Sequence, residues 1–209
     1  MNDAIYQYVL EHTEAESALL KELSHETYQK IYHPRMLSGH LQGKILTMFS
    51  YMISPQRILE IGTYTGYSTL CLAEGLAPNG ILHTIEINDE LEDFINKYIN
   101  RSPLSSKIIL HFGDALNIIP ALNETFDLVF MDGDKRQYRE YFELVIDRTR
   151  QNGFIVIDNV LWNGKVINPE EKDEYTESVR KFNDFVHNDK RVENVMLPVR
   201  DGITLLRKK

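Results

Sequence analysis

An α/β fold, with a mainly parallel sheet of seven strands, N-terminal helices and a reversed final strand, follows from three features of this 209-residue chain. From residue 57 onward, short apolar runs alternate with helical stretches, and such alternation builds βαβ units and a parallel sheet. The runs are continuously apolar and bounded by turn residues, as in strands buried on both faces. The last two runs are joined by too few residues for a crossover, so they must pair antiparallel.

Taken in order, the first 55 residues read as helical, with apolar positions three and four apart: Ile5, Tyr8 and Val9, then Leu19, Leu20 and Leu23, then Leu41, Ile45, Leu46 and Phe49. His33-Pro34 interrupts the run, because the residue before a proline avoids helical backbone angles. The segment from Tyr32 to His40 is therefore a loop between helices, with Ser38 as the cap of the helix after it. Strands follow at 57–61, 81–85, 107–112, 127–131 and 154–157, separated by helices near 68–75, 90–100, 115–122 and 136–150. Beyond them come a polar loop over 162–173, a helix at about 175–188 and strands at 192–197 and 203–207. Only Asp201-Gly202 and their neighbours link the last two, which form a hairpin whose closing strand lies antiparallel to the rest. Length favours one domain over 1–209, made of a helical segment (1–55) and an α/β core (56–209).

Composition narrows the class. Hydrophobic residues make up 43% and charged residues 26%, and no stretch approaches the roughly 18 apolar residues of a membrane span. The N-terminus lacks a basic segment followed by an apolar one, so no signal peptide is expected and the cytoplasm is the expected location. A single cysteine, Cys71, excludes an internal disulfide and reads as a small buried helix residue. The net charge of −8 argues against broad nucleic-acid binding, though not against one RNA base entering a pocket.

The chemistry gathers at strand ends, because ligands of parallel sheets bind beyond the carboxyl ends of the strands. Asp132 and Asp158 each stand one residue past an apolar run, and Asn159 follows the second. Two carboxylates and an amide oxygen, without Cys or His, favour a hard cation: Mg²⁺ first, with Ca²⁺ or Mn²⁺ as alternatives. Read singly, each aspartate is a turn opener or helix cap. The first strand runs into Ile58-Leu-Glu-Ile-Gly62-Thr-Tyr-Thr-Gly66-Tyr-Ser68. Its Gly-x-x-x-Gly spacing differs from the Gly-x-Gly-x-x-Gly of dinucleotide enzymes, and Glu60 would repel a pyrophosphate but hold an ammonium. Glu86 ends the second strand, where a carboxylate accepts both hydroxyls of an unphosphorylated ribose or caps the next helix. Asp114, after the third strand, faces an adenine amino group or caps a helix. Together these positions describe a nucleoside pocket.

Those segments resemble one family. Leu-Glu-Ile-Gly-Thr-Tyr-Thr-Gly-Tyr-Ser, Phe-Asp-Leu-Val-Phe-Met-Asp-Gly-Asp-Lys, Asp-Asn-Val-Leu-Trp-Asn-Gly and the closing Asp-Gly are similar to the metal-dependent O-methyltransferases of the caffeoyl-coenzyme A and catechol group, which use S-adenosylmethionine (SAM). The resemblance runs from about His33 to the end and implies a Rossmann-like methyltransferase fold. It implies SAM binding by Glu60, Gly62, Thr63, Ser68, Glu86 and Ala115, with further contacts from Asp134, Tyr141, Met36 and Ser38. It makes Asp132, Asp158 and Asn159 the metal ligands and Lys135 the catalytic lysine, and it implies a homodimer with N-terminal helices at the interface. Three places depart from the family pattern: Asp114, Arg200 before the closing Asp-Gly, and the 36–43 segment.

The implied reaction transfers a methyl group from SAM to one hydroxyl of a small catechol-like or phenolic substrate, with Lys135 handling the hydroxyl proton beside the cation. A lysine with an ordinary pKa near 10.4 is a poor base at neutral pH, so the cation would have to depress it. Trp162, Tyr32 and the 33–36 loop read as an aromatic wall or as core, and His33 and His40 as structural. Three rivals remain at this level. One is a hydroxyuridine tRNA as acceptor, which needs a basic rim from Arg35, Arg136, Arg139 and Arg200; another is an NAD-dependent oxidoreductase, which the glycine spacing and Glu60 disfavour; the third is a non-catalytic ligand-binding or interaction protein, against which Asp132, Asp158, Asn159 and Lys135 argue.

Overall fold

The five apolar runs become five parallel strands in the computed structural model, which describes residues 3–209. They are β1 (Arg57–Ile61), β2 (Ile81–Glu86), β3 (Ile108–Phe112), β4 (Phe126–Met131) and β5 (Thr149–Asp158). The hairpin strands β6 (Val192–Leu197) and β7 (Ile203–Lys208) complete a seven-stranded sheet in the order β3-β2-β1-β4-β5-β7-β6. β7 enters between β5 and β6 and pairs antiparallel with both. Met1 and Asn2, the start of the expected helical segment, lie outside the described residues.

Strand alternation divides the core into two layers. Ile58, Leu82, Leu128, Phe130 and Val156 face one side, against α2 (Ala18–Lys30), α3 (Gly39–Ile53), α4 (Tyr67–Ala73) and α5 (Glu92–Ile99). Leu59, Ile61, Ile85, Val129, Met131, Ile155 and Ile157 face the other, against α6 (Ala115–Ala121), α7 (Tyr138–Ile146) and α8 (Glu174–Asn188). Both faces are covered, which is why the runs carry no polar alternation.

Three local expectations are corrected. The helix expected over 136–150 is confined to α7, after a 3₁₀ turn at Lys135–Gln137, and β5 already begins at Thr149, which pairs with Phe126. Its first half carries the exposed Arg150, Gln151 and Asn152, so apolar content alone hid it. The N-terminal helices break once more than expected, between α1 (Asp3–Glu11) and α2, where the Ser17 hydroxyl accepts the Leu20 N–H at 3.3 Å. Ser38 precedes α3 but is itself helical in φ/ψ and makes no side-chain cap bond, since capping needs an extended residue there.

Candidate active site

The strand order reverses between β1 and β4, and the crevice opens at their carboxyl ends, as expected for a doubly wound sheet. Its volume is about 1280 Å³. Gly62 leaves β1 with φ +98°, and a Cβ there would collide with the Asp132 carbonyl oxygen, so the position demands glycine. The Gly62 and Thr63 N–H groups both donate to the Ile85 carbonyl oxygen, at 3.0 and 3.2 Å. The turn is thereby stitched to β2.

Glu86, at the end of β2, lines the crevice, and its two oxygens accept the N–H groups of Tyr64 (2.6 Å) and Asn88 (2.9 Å). Burial raises its pKa, with those backbone bonds working in the opposite direction. The capping role considered for Glu86 belongs to Asn88, whose side chain accepts the Glu90 N–H at 3.1 Å. Asp114 does cap α6, accepting the Leu116 N–H at 2.9 Å, and it lines the crevice together with Ala115, Asp134, Tyr141 and Met36. Asp134 is paired with Arg136 at 2.5 Å, which lowers its pKa, and the Tyr141 hydroxyl donates to Gln137 at 2.6 Å.

Four of the expected donor-binding residues lie behind the wall: Ser38, Glu60, Thr63 and Ser68 are buried and do not line the crevice. Glu60 is fully buried because strand alternation turns it toward α4. Its Oε2 accepts the hydroxyls of Thr69 (2.5 Å) and Thr84 (2.7 Å), while Oε1 has no hydrogen-bond donor among the described residues. Burial pushes its pKa up to about 7 against the pull of the Ser68, Thr69 and Thr84 hydroxyls. The carboxylate is thus held by hydroxyls of α4 and β2, with one oxygen left over.

On the β4 side, Met131 and Ile157 are register partners, so Asp132 and Asp158 emerge side by side from adjacent strands, about 5 Å apart in the sheet direction. Asp158 is 4% exposed; its Oδ2 accepts from Gln42 Nε2 at 2.6 Å and its Oδ1 from the Asn159 N–H at 2.8 Å. Burial raises its pKa, and the Asp132 charge adds to the rise. Asn159 has φ +56° and its Nδ2 donates to Asp201 Oδ2 at 3.4 Å. Lys135 Nζ donates to Asp132 Oδ1 at 2.7 Å and to the Gly133 carbonyl at 3.1 Å. Burial works against its charge, but Asp132, Tyr138 and Asp158 outweigh that and hold the ammonium form.

The donor set fits a hard cation. Lys135 pairs with Asp132 and leaves the buried Asp158 short of positive charge, while the Asn159 amide, donating through nitrogen to Asp201, keeps its oxygen as an acceptor. Among the described residues no group of three His, Cys, Asp or Glu side chains gathers to hold a metal. The set is therefore two carboxylates and an amide, a hard all-oxygen combination.

The rim is built by the loops. Trp162 lines the crevice and stacks on Tyr175, with ring centroids 5.7 Å apart, and Tyr32, His33 and Arg35 line it as well. Of the four exposed arginines that the tRNA alternative needs, only Arg35 and Arg200 line the crevice. Arg136 is held by Asp134 and lies over the Tyr175 ring, Arg139 lies over Phe185, and Arg200 donates to the Leu37 carbonyl and Gln42. Of the four, Arg35 alone is exposed on the crevice without such ties among the described residues, and Glu86, Asp114, Asp132, Asp158 and Asp201 line the same space. Sequence reasoning missed Gln42, Tyr64 and Tyr138. The Tyr64 hydroxyl donates to the carbonyls of Tyr32 and His33 at 3.2 Å, and that of Tyr138 to the Asp158 carbonyl at 2.9 Å. Tyr64 lies inside the glycine turn, which was a signal; Gln42 lies in an ordinary amphipathic helix, which carried none.

A doubly wound sheet with a nucleoside-type crevice at its switch point, flanked by paired carboxylates and a lysine, defines a class of group-transfer enzymes acting beside a bound nucleoside. The sequence model of the O-methyltransferase family matches residues 10–209, and the chain belongs to that family. Its activity class is that of an SAM-dependent O-methyltransferase. It is 35% identical to caffeoyl-CoA O-methyltransferase 5 of Nicotiana tabacum, over 99% of this chain and 92% of that protein. Its fold matches that of the O-methyltransferase TomG from Streptomyces achromogenes, involved in tomaymycin synthesis and solved in complex with SAM, with a TM-score of 0.90, 28% identity and coverage of 99% and 96%. An O-methyltransferase from Bacillus cereus, solved with SAH, matches with a TM-score of 0.90, 28% identity and coverage of 99% and 97%.

Proposed function

We propose that this protein methylates one hydroxyl of a small catechol-like or phenolic substrate carrying two adjacent oxygens, using SAM and a divalent cation. The observation that carries the reading is the emergence of Asp132 and Asp158 side by side at the rim of a crevice whose other wall is built by Gly62 and Glu86.

The donor lies along the β1–β2 wall. Glu86 receives the ribose hydroxyls, since two backbone N–H groups already fix its carboxylate in the crevice. We assign Asp114, Ala115, Asp134 and Tyr141, which all line the crevice, to the nucleoside end of the donor. Gly62 lets the donor approach the backbone, and Thr63, Ser68, Ser38 and Glu60, all buried, are the further residues that the resemblance assigns to the donor. Met36, exposed at the mouth, bounds the methyl-bearing end.

Asp132, Asp158 and Asn159 are the residues that would hold the cation, Mg²⁺ being the first choice for an all-oxygen set. A divalent ion held there would supply positive charge that lowers the proton affinity of a substrate hydroxyl. Trp162 and Tyr175 offer a flat apolar flank for an aromatic acceptor. Methyl transfer needs the attacking oxygen in line with the methyl–sulfur bond at roughly 3 Å, so positioning supplies much of the rate. Lys135 stands on the Asp132 carboxylate and is the side chain we assign to the proton of the attacking hydroxyl.

The test is a methyl-transfer assay against catechols and phenolic thioesters, with and without chelator, on wild-type protein, Asp158→Ala and Lys135→Met. Chelation and Asp158→Ala are expected to lower turnover at least about tenfold. Lys135→Met is expected to lower kcat by about 10²–10⁴ while leaving SAM affinity in place. Wild-type rates for Asp158→Ala and in the presence of chelator would overturn the metal reading.

A further inference from the structure

Gln42 is the one side chain of α3 that reaches the paired carboxylates, and neither its helix nor its residue type marks it for that place. It is 1% exposed. Its Nε2 donates to Asp158 Oδ2 at 2.6 Å, and its Oε1 accepts from Arg200 Nη1 at 3.2 Å. Arg200 sits in the turn between β6 and β7 with φ +49°, and the same Nη1 donates to the Leu37 carbonyl at 3.1 Å. Each contact joins segments more than a hundred residues apart, so tertiary structure alone assembles the chain from Arg200 through Gln42 to Asp158.

The direction of the Gln42 amide is fixed by its neighbours. Turned over, it would point its carbonyl oxygen at a carboxylate and its NH₂ group at a guanidinium, placing acceptor on acceptor and donor on donor. With the guanidinium on one side and the carboxylate on the other, a single orientation satisfies both. That orientation holds the plane of the Asp158 carboxylate from the Oδ2 side, while the Asn159 N–H holds it from the Oδ1 side. The adjoining residue of the same turn reaches the next ligand: Asp201 accepts Asn159 Nδ2 at 3.4 Å and the Asn163 N–H at 2.5 Å.

We propose that Gln42 is a positioning residue for Asp158, setting the orientation of its carboxylate toward the cation, and that Arg200 sets the direction of the Gln42 amide. The closing hairpin thus holds the metal ligands in place although it contributes none itself. Hydrogen-bonded partners of metal ligands act by limiting the orientations a ligand samples, and their loss typically costs 10–100-fold in metal affinity. The inference rests on the metal reading above.

The two are separated by measuring Mn²⁺ binding directly, by electron paramagnetic resonance of the free ion, in wild-type protein, Gln42→Leu and Arg200→Met. SAM affinity and thermal midpoint are measured on the same samples. Gln42→Leu is expected to weaken Mn²⁺ binding by about tenfold or more, and Arg200→Met by a smaller factor in the same direction. SAM affinity is expected to stay within about twofold in both, and the double variant to lose less than the product of the single losses because the two act through one contact. Should Gln42→Leu not fold, Arg200→Met, which keeps Gln42, carries the test. If wild type binds Mn²⁺ and the variants bind it equally well, the positioning role is wrong while the metal reading stands. A parallel fall in Mn²⁺ affinity, SAM affinity and thermal midpoint would show a general structural role and would also overturn it. Failure of the wild-type protein to bind Mn²⁺ would overturn both.

Discussion

At the scale of single residues, the site depends on positions where backbone and side chain have no second choice. Gly62 is the sharpest case. It turns out of β1 at φ +98°, with the Asp132 carbonyl where a Cβ would lie, so Gly62→Ala combines a left-handed backbone with a collision against the neighbouring strand. The expected result is a loss of about 1–3 kcal/mol in denaturant unfolding, together with weaker SAM binding. Unchanged stability would show that the turn can relax. Lys135 illustrates the opposite freedom. The two carboxylates hold its proton, so its use as a base depends on charge brought to Asp132 and Asp158.

At the scale of elements, β2 and β3 carry a feature outside the site. His83 and His111 lie on the same face of adjacent strands, with Nδ1 of the first 3.0 Å from Nε2 of the second, and His83 is 7% exposed. Burial lowers both pKa values; for His83 the His111 and Arg57 charges add to this, and Glu124 acts against it. A histidine whose folded pKa lies below its unfolded value of about 6.5 favours the neutral ring in the fold. Its contribution is present above that unfolded value and is lost as pH falls through the folded pKa. Wild-type protein is therefore expected to lose more thermal stability between pH 7 and pH 5 than a His83→Leu variant, measured as the difference in midpoint at each pH. Parallel curves would show that the pair does not titrate in that window. Elsewhere, elements explain why the site is stiff: Tyr138, which donates to the Asp158 carbonyl, packs edge-on against Phe182 of α8 at 5.3 Å. A helix remote in sequence thereby braces a strand end.

For the whole molecule, the N-terminal helices leave apolar side chains uncovered. Met48, Tyr51 and Met52 form a stripe on α3 at three- and four-residue spacing, and Ile5 and Tyr8 do so on α1. The homodimer that the family resemblance implies would bury exposed apolar side chains such as these. Light scattering coupled to size exclusion is expected to give twice the chain mass of 24.4 kDa for wild type and a monomer for Met48→Glu/Met52→Glu. A wild-type monomer, or a dimer unaffected by both substitutions, would move the interface elsewhere or remove it. No helix among the described residues is long and apolar enough to cross a membrane.

Much of this architecture was legible before any coordinates, because apolar runs and turn residues report burial locally. The five parallel strands, the hairpin, and the placing of Asp132, Asp158, Glu86 and Gly62 at strand ends all follow from short-range pattern and the rule that ligands bind beyond those ends. The polar first half of β5 escaped, since its place in the sheet comes from pairing with β4 and not from its own side chains. Insertion of β7 between β5 and β6, the full burial of Glu60, and the contacts of Arg136, Arg139 and Arg200 with Asp134, Phe185 and Gln42 were equally out of reach. The sequence by itself determined which chemistry is present: two carboxylates, an amide, a lysine and a glycine turn, each set by its own few neighbours in the chain. Only the tertiary structure decided how those groups are held, because the contacts that orient Asp158 and Asn159 come from Gln42 and Asp201, and strand order and hydrogen-bond register bring such distant residues together.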